Sequence, residues 1–166
     1  RSVAIVEKGS EVGAHILSGA VIDPIGIDTL LPDWRATDGH PLTQPVTRDR
    51  YLWLGHGGAV RLPHLLLPPL MRNKGAFVAS LGDLCRWLAG KVETLGVEIF
   101  PVFSATQALF DRRGAVVGIA TGDLGVARDG AHKPHFQRGI EIRARYTLIA
   151  DGARRSLATR LTRRLG

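Results

Sequence analysis

Residues 2–13 read SVAIVEKGSEVG, and the order of residue types in this stretch decides the fold class. Ser2 to Val6 is a short, β-branched apolar run of the kind that forms a buried strand. It ends on Glu7, with the turn formers Gly9 and Gly13 behind it. An acidic residue at the carboxyl end of such a strand is the pattern of the second strand of a dinucleotide-binding βαβ unit, where the carboxylate accepts hydrogen bonds from a ribose. The glycine-rich phosphate turn of such a unit precedes the acid by about 20 residues. Glu7 stands too early for that, so the turn is expected ahead of Arg1 and the chain reads as a piece of a longer protein. The same residues also fit a simpler reading, in which Glu7 and Lys8 are only the polar end of a strand.

Two further stretches extend the pattern. Gly13 to Pro24, GAHILSGAVIDP, brings Ser18, Gly19 and Ala20 together. Small side chains let a planar ligand or a phosphate approach backbone N–H groups, and a tight structural turn has the same composition. Near the other end, the apolar run Tyr146 to Ala150 predicts a strand that enters Asp151-Gly152 and then a basic helix over 153–165. Glycine permits the sharp turn and the helix N-terminal amides can face an anion, while Asp151 suits either a ribityl hydroxyl or a helix cap.

Between these ends, Ile25 to Trp34 predicts a short helix, and Arg50 to Leu54 with Ala59 to Leu62 predicts a hairpin across Gly55, His56, Gly57 and Gly58. The following LPHLLLPPLM, Leu62 to Met71, has three prolines that exclude a regular helix or a central strand. Its leucines are open to three readings: buried packing, an apolar ligand wall, or a loop that dips into a membrane. Phe77 to Ala79 predicts a strand. Leu81 to Leu95 predicts a helix through the spacing of Leu84, Leu88, Val92 and Leu95, with Gly96 as its stop, and Val97 to Phe100 completes a strand, helix and strand unit. Phe103 to Phe110, Ala115 to Thr121 and Arg138 to Ala144 predict an antiparallel meander with a long excursion at 122–137.

The bulk composition narrows the function classes. The 166 residues are 45% hydrophobic and 22% charged, which excludes a disordered or collagen-like chain, and no window is apolar enough to span a bilayer. Cys85 is the only cysteine, so this chain can hold no internal disulfide and no complete iron–sulfur ligand set. His132 and His135 lack a third ligand nearby in sequence, which favours a solvated loop over a metal site. The formal charge of +7 arises mostly from arginines, with a dense group at Arg154, Arg155, Arg160, Arg163 and Arg164. A solvated helix face explains that group more simply than a binding patch does, and the chain lacks the basic and aromatic interleaving of a nucleic-acid surface.

The ordered combination resembles the FAD-binding domains of the glutathione-reductase-like class, an α/β fold with a β-meander and here an inserted apolar hairpin and loop. The stretches VAIVEKGSEVGAHILSGAVIDP, LLPDW, PVTRDR, GDLCRWLAGKVETLGVEIFP and GIATGDLGVARDGAHKPHFQRGIEI are similar, more narrowly, to the electron transfer flavoprotein-ubiquinone oxidoreductase family. The resemblance implies FAD and, in the full-length protein only, a 4Fe-4S cluster. Its implied electron donor is reduced electron transfer flavoprotein, its acceptor is ubiquinone, and its place is the surface of a bacterial cytoplasmic membrane or the matrix side of the mitochondrial inner membrane, with no nucleic acid involved. By that match Glu7, beside Lys8, would hold the adenosine ribose. Gly13 and Ser18, Gly19 and Ala20 would line the flavin, Ala105 and Thr106 would offer backbone to the adenine, and Asp151 and Gly152 would close on the ribityl and pyrophosphate side. The family more often has Glu-Gly where Asp151-Gly152 stands, and often glycine where Arg155 stands. Leu62, Leu65, Leu66, Leu67 and Leu70 would meet the bilayer and border the quinone.

The implied organisation is an FAD-binding part at 1–44, a quinone and membrane region at 45–75 and a second FAD-binding part at 76–166, without the phosphate turn and the iron–sulfur domain. No catalytic side chain is expected, because a flavin carries the electron chemistry and the protein positions it. A related FAD-dependent reductase or hydroxylase of the same fold, and a basic surface-binding module without redox chemistry, are the competing readings.

Overall fold

A computed structural model of the chain describes residues 2–16, 19–152 and 156–165. In chain order its elements are β1 (Val3–Val6), β2 (Gly19–Ile22), α1 (Ile25–Leu30), β3 (Gln44–Pro45), β4 (Tyr51–Gly55), β5 (Gly58–Leu62) and β6 (Phe77–Ser80). There follow α2 (Leu81–Thr94), β7 (Val97–Phe100), β8 (Ala105–Phe110), β9 (Val116–Thr121), β10 (Leu124–Val126), β11 (His132–Gln137), β12 (Glu141–Arg143) and α3 (Ser156–Leu165). Short 3₁₀ turns cover Trp34–Ala36, His64–Leu66 and Pro69–Met71. The elements gather into two compact units, one of residues 1–11 with 96–166 and one of residues 12–95. The hairpin and apolar loop expected as a separate region at 45–75 lie inside the second unit.

In the first unit, β1 and β7 run parallel from Val3 opposite Val97 to Val6 opposite Phe100. The strand forms where the β-branched run predicts it, but it is not buried: Val3 is 55% exposed, because β7 is its only ladder partner among the described residues. The predicted meander is present as an antiparallel sheet in the order β12, β9, β8. The excursion between β9 and β12 is itself a ladder of β10 with β11, despite the polar sequence of β11. Pro134 is tolerated there because a strand with one partner needs only half of its N–H groups. Ala108, Ile119 and Leu157 form the core, with Val6, Phe110, Ile142, Ile149 and Leu161 packed around them. The predicted strand Tyr146 to Ala150 has no ladder partner among the described residues. It keeps the period of two, with Ile149 on the core and Leu148 96% exposed.

α3 carries Arg160, Arg163 and Arg164, and two of these are engaged within the unit. Arg160 Nη1 donates to Thr106 O at 3.1 Å, and the Arg164 guanidinium lies 3.7 Å over the Phe110 ring, a cation–π arrangement. Arg154 and Arg155 lie outside the described residues.

In the second unit, β6 is the middle strand of an antiparallel sheet with β2 and β3. β6 and β7 therefore belong to different sheets, and the expected strand, helix and strand unit is not a crossover within one sheet. α2 begins where Ser80 Oγ accepts the N–H of Asp83 at 3.2 Å, an N-cap that satisfies one orphan donor of the first turn. Leu84 is buried, Leu88 and Val92 are half-buried, and Leu95 is exposed just past the end of the helix. Trp34 and Leu42 are the most deeply buried side chains, and with Ala79 they organise Ile22, Ile27, Leu31, Phe77 and Trp87. Full burial of side chains this size is worth roughly 1.5–3 kcal/mol each, so these two anchor the unit.

Candidate functional site

The carboxyl ends of β1 and β7 are tied together by backbone. Glu7 N donates to Phe100 O at 2.9 Å and Val102 N donates to Gly9 O at 2.7 Å, with Val102 held at φ +73°. A β-branched residue in the left-handed region is strained, and such strain collects at functional sites. Glu7 stands at this carboxyl end, where open α/β sheets bind their ligands. Its Oε1 accepts the Gly9 N–H at 2.6 Å. Among the described residues Oε2 receives no protein donor, so a carboxylate already oriented by one bond has a second oxygen available for a ribose. Lys8 is exposed.

Ala105 and Thr106 open β8, and the ladder slips between Ala105 and Gln107, leaving Thr106 as the extra residue of a bulge. Thr106 Oγ1 donates to Ala120 O at 3.2 Å, while its own carbonyl accepts from Arg160. That carbonyl is therefore already engaged on one side. Asp151 takes the helix-capping role that its sequence left open: Oδ2 accepts the N–H groups of Leu157 at 2.8 Å and Ala158 at 3.1 Å. Gly152 follows at φ +71° in open space, so backbone conformation rather than crowding calls for glycine there.

The remaining candidates lie in the second unit. Gly13 has φ +84°, and a Cβ there would stand 2.9 Å from Gly82 O in the first turn of α2. Glycine is thus required on two grounds without any ligand. Gly19 and Ala20 lie in β2 opposite Ser80 and Ala79. Ser18 lies outside the described residues.

The apolar loop divides in a way the sequence could not show. Leu65 and Leu66 are 86% and 74% exposed, whereas Leu67 is 7% exposed and packs inward, so Leu67 is withdrawn from the membrane-facing set. Leu62 is half-buried, and the side chain of Leu70 lies outside the described ones. Sequence reasoning placed the hairpin in this region at 45–75 but named none of its side chains: Leu52, Trp53, Leu54 and Val60 are all exposed, Trp53 at 70%. Unbroken apolar residues on β4, without the alternation of a half-buried strand, were the available signal. The base of the hairpin is fixed. Tyr51 Oη donates to Met71 O at 2.5 Å, Asn73 Nδ2 donates to Tyr51 Oη at 3.2 Å, and Asn73 N donates to Asp49 Oδ2 at 3.0 Å.

Among the described residues no helix is long and apolar enough to cross a membrane, and no three His, Cys, Asp or Glu side chains are placed to hold a metal ion.

These units make a mixed α/β protein of several small sheets, and the fold is shared with a solved structure, that of Thermovibrio ammonificans THI4. The TM-score is 0.57 at 18% identity, over 98% of this chain and 52% of that one. By sequence the chain is similar to a segment of proteins named electron transfer flavoprotein-ubiquinone oxidoreductase. It is 50% identical over 98% of its length to the Pseudomonas aeruginosa protein of that name, and 48% identical over 93% of its length to the mitochondrial one of Dictyostelium discoideum. The mitochondrial protein of Arabidopsis thaliana is 47% identical over 98% of the chain. The chain spans 25–30% of the length of these relatives. No protein-family model matches it.

Proposed function

We propose that this chain supplies part of the FAD-binding region of a membrane-surface oxidoreductase that passes electrons from reduced electron transfer flavoprotein to ubiquinone. The observation that carries the reading is the identity of 47–50% to proteins of that name across nearly the whole chain. A glutathione-reductase-like arrangement of the FAD domain belongs to the same proposal.

The residues fit the cofactor at the ribose end. In the first unit, Glu7 would accept ribose hydroxyls through its open oxygen, and the bulge at Thr106 would present backbone to the adenine. Gly152 would let the chain pass close to the pyrophosphate, and Asp151, committed to α3, would act mainly by fixing that turn. In the second unit, Gly13, Gly19 and Ala20 would offer close backbone approach to the flavin. Bound FAD supplies the one- and two-electron chemistry, so these residues bind, orient and exclude water rather than exchange protons with substrate. A 4Fe-4S cluster requires several Cys thiolates. Cys85 alone cannot provide them, and the reading places the cluster ligands in parts of the longer relatives that this chain does not span.

Trp53, Leu54 and Val60, exposed on the hairpin, and Leu65 and Leu66, exposed on the loop after it, support attachment to a bilayer surface, since large apolar side chains gathered on a protein surface mark interaction sites. The test is electron transfer by the full-length protein: reduced electron transfer flavoprotein as donor and a ubiquinone analogue as acceptor. Quinone reduction dependent on that donor is expected. A protein that oxidises a nicotinamide instead, and ignores the flavoprotein donor, would move the assignment to a related FAD-dependent reductase.

A further inference from the structure

At the base of the β4–β5 hairpin, Arg48, Arg50, Arg61 and Lys74 line one side of an open concavity of about 480 Å³, together with Thr47 and Asp49. Four cations face one carboxylate, and that carboxylate already accepts from the Asn73 backbone. Among the described residues no ion pair joins any of the four to an acidic group. So concentrated an unneutralised charge, with a threonine hydroxyl beside it, has the chemistry of a phosphate site.

Its position selects the source of the phosphate. Arg50 immediately precedes β4, and Arg61 lies opposite Leu52 in the ladder, while Trp53, Leu54, Ala59 and Val60 occupy the outer end of the hairpin. Trp53 stands three strand positions beyond Arg50, roughly 10 Å at strand rise. Interfacial elements insert about 5–10 Å into the headgroup and acyl boundary. A hairpin inserted tip first to that depth leaves its cations level with the lipid phosphates.

We propose that this concavity is a binding site for the phosphate of an anionic phospholipid headgroup, so that the hairpin selects anionic membranes rather than merely apolar ones. The proposal rests on the membrane-surface reading above and adds a lipid preference to it.

The experiment is flotation of the full-length protein with phosphatidylcholine vesicles and with vesicles of phosphatidylcholine and phosphatidylglycerol in equal parts. The wild type, Arg48→Gln/Lys74→Gln and Leu65→Asp/Leu66→Asp are compared. The wild type should prefer the anionic vesicles. Each cation near such a surface contributes about a fivefold factor, so the double charge variant should bind them roughly 25-fold more weakly, with binding to phosphatidylcholine unchanged. The leucine variant should lose both. Equal wild-type binding to the two vesicles, with the leucine variant defective on both, overturns the headgroup site and leaves membrane attachment standing. Absence of wild-type binding to either vesicle overturns both. A charge variant that keeps its lipid preference but no longer accepts electrons from the flavoprotein donor overturns the proposal in favour of a protein-docking role.

Discussion

Asp151 holds the first turn of α3 through Leu157: one carboxylate oxygen accepts the Leu157 N–H at 2.8 Å, and Leu157 in turn is a core residue of the first unit. The residue whose sequence suits either a ribityl contact or a helix cap is thereby the link between a glycine turn and the packed helix. Asp151→Ala should lower stability by about 1 kcal/mol, the ordinary worth of such a cap, and Asp151→Asn should retain most of it. Denaturant unfolding of the flavin-free full-length protein measures both. Equal losses for the two variants would mean that charge, not capping, is the contribution.

Glu7 should matter for a different reason. Its Oε2 is open while Oε1 is held by Gly9, and a hydrogen bond to a charged group is worth roughly 1.5–3 kcal/mol. Glu7→Gln should therefore weaken FAD binding by about 10- to 100-fold with little change in the stability of the flavin-free protein. Fluorescence titration of the flavin-stripped protein reads the affinity, and an unchanged affinity would remove Glu7 from the site.

Gly13 lies where a side chain meets backbone rather than a movable neighbour. At φ +84° and with Gly82 O 2.9 Å from the position of a Cβ, Gly13→Ala should destabilise by at least about 1 kcal/mol. Limited proteolysis and thermal unfolding check it. A neutral Gly13→Ala would show that the loop moves freely away from α2.

Much of this architecture could be read directly from the residues. The helix α2 was legible because periodic leucines and Gly96 agree, and the hairpin because a glycine-rich turn joins two apolar runs. The leucine run was not legible beyond its presence: prolines abolish any period, so nothing local separates exposed Leu65 from buried Leu67. Residues 146–150 have a strand's alternation but no ladder partner among the described residues, and pairing is a tertiary property. The charges at 61 and 74 stand well away in sequence from those at 48 and 50, and the four become one surface only when the hairpin closes.

Asp28 gives the second unit a pH dependence. Its carboxyl is held below the usual Asp value by hydrogen bonds from Arg35 and then from the Trp34 indole, whose Nε1 donates at 2.6 Å. A depressed value in the folded protein means stability that is present above the ordinary carboxylate range and lost as pH falls through the lowered value. The wild type should therefore lose stability below about pH 4, while Asp28→Asn, less stable at neutral pH, should show a flatter acid limb. Unfolding curves at several pH values decide it, and parallel acid limbs would contradict the role of this carboxylate.

The central claim is that these residues belong to a flavin site. The most direct measurement is the visible absorption spectrum of the full-length protein purified from its native membranes, before and after chemical reduction. Flavin bands that bleach on reduction, over the broad absorption of an iron–sulfur cluster, are the predicted result. A natively folded full-length protein purified without a flavin chromophore would contradict it.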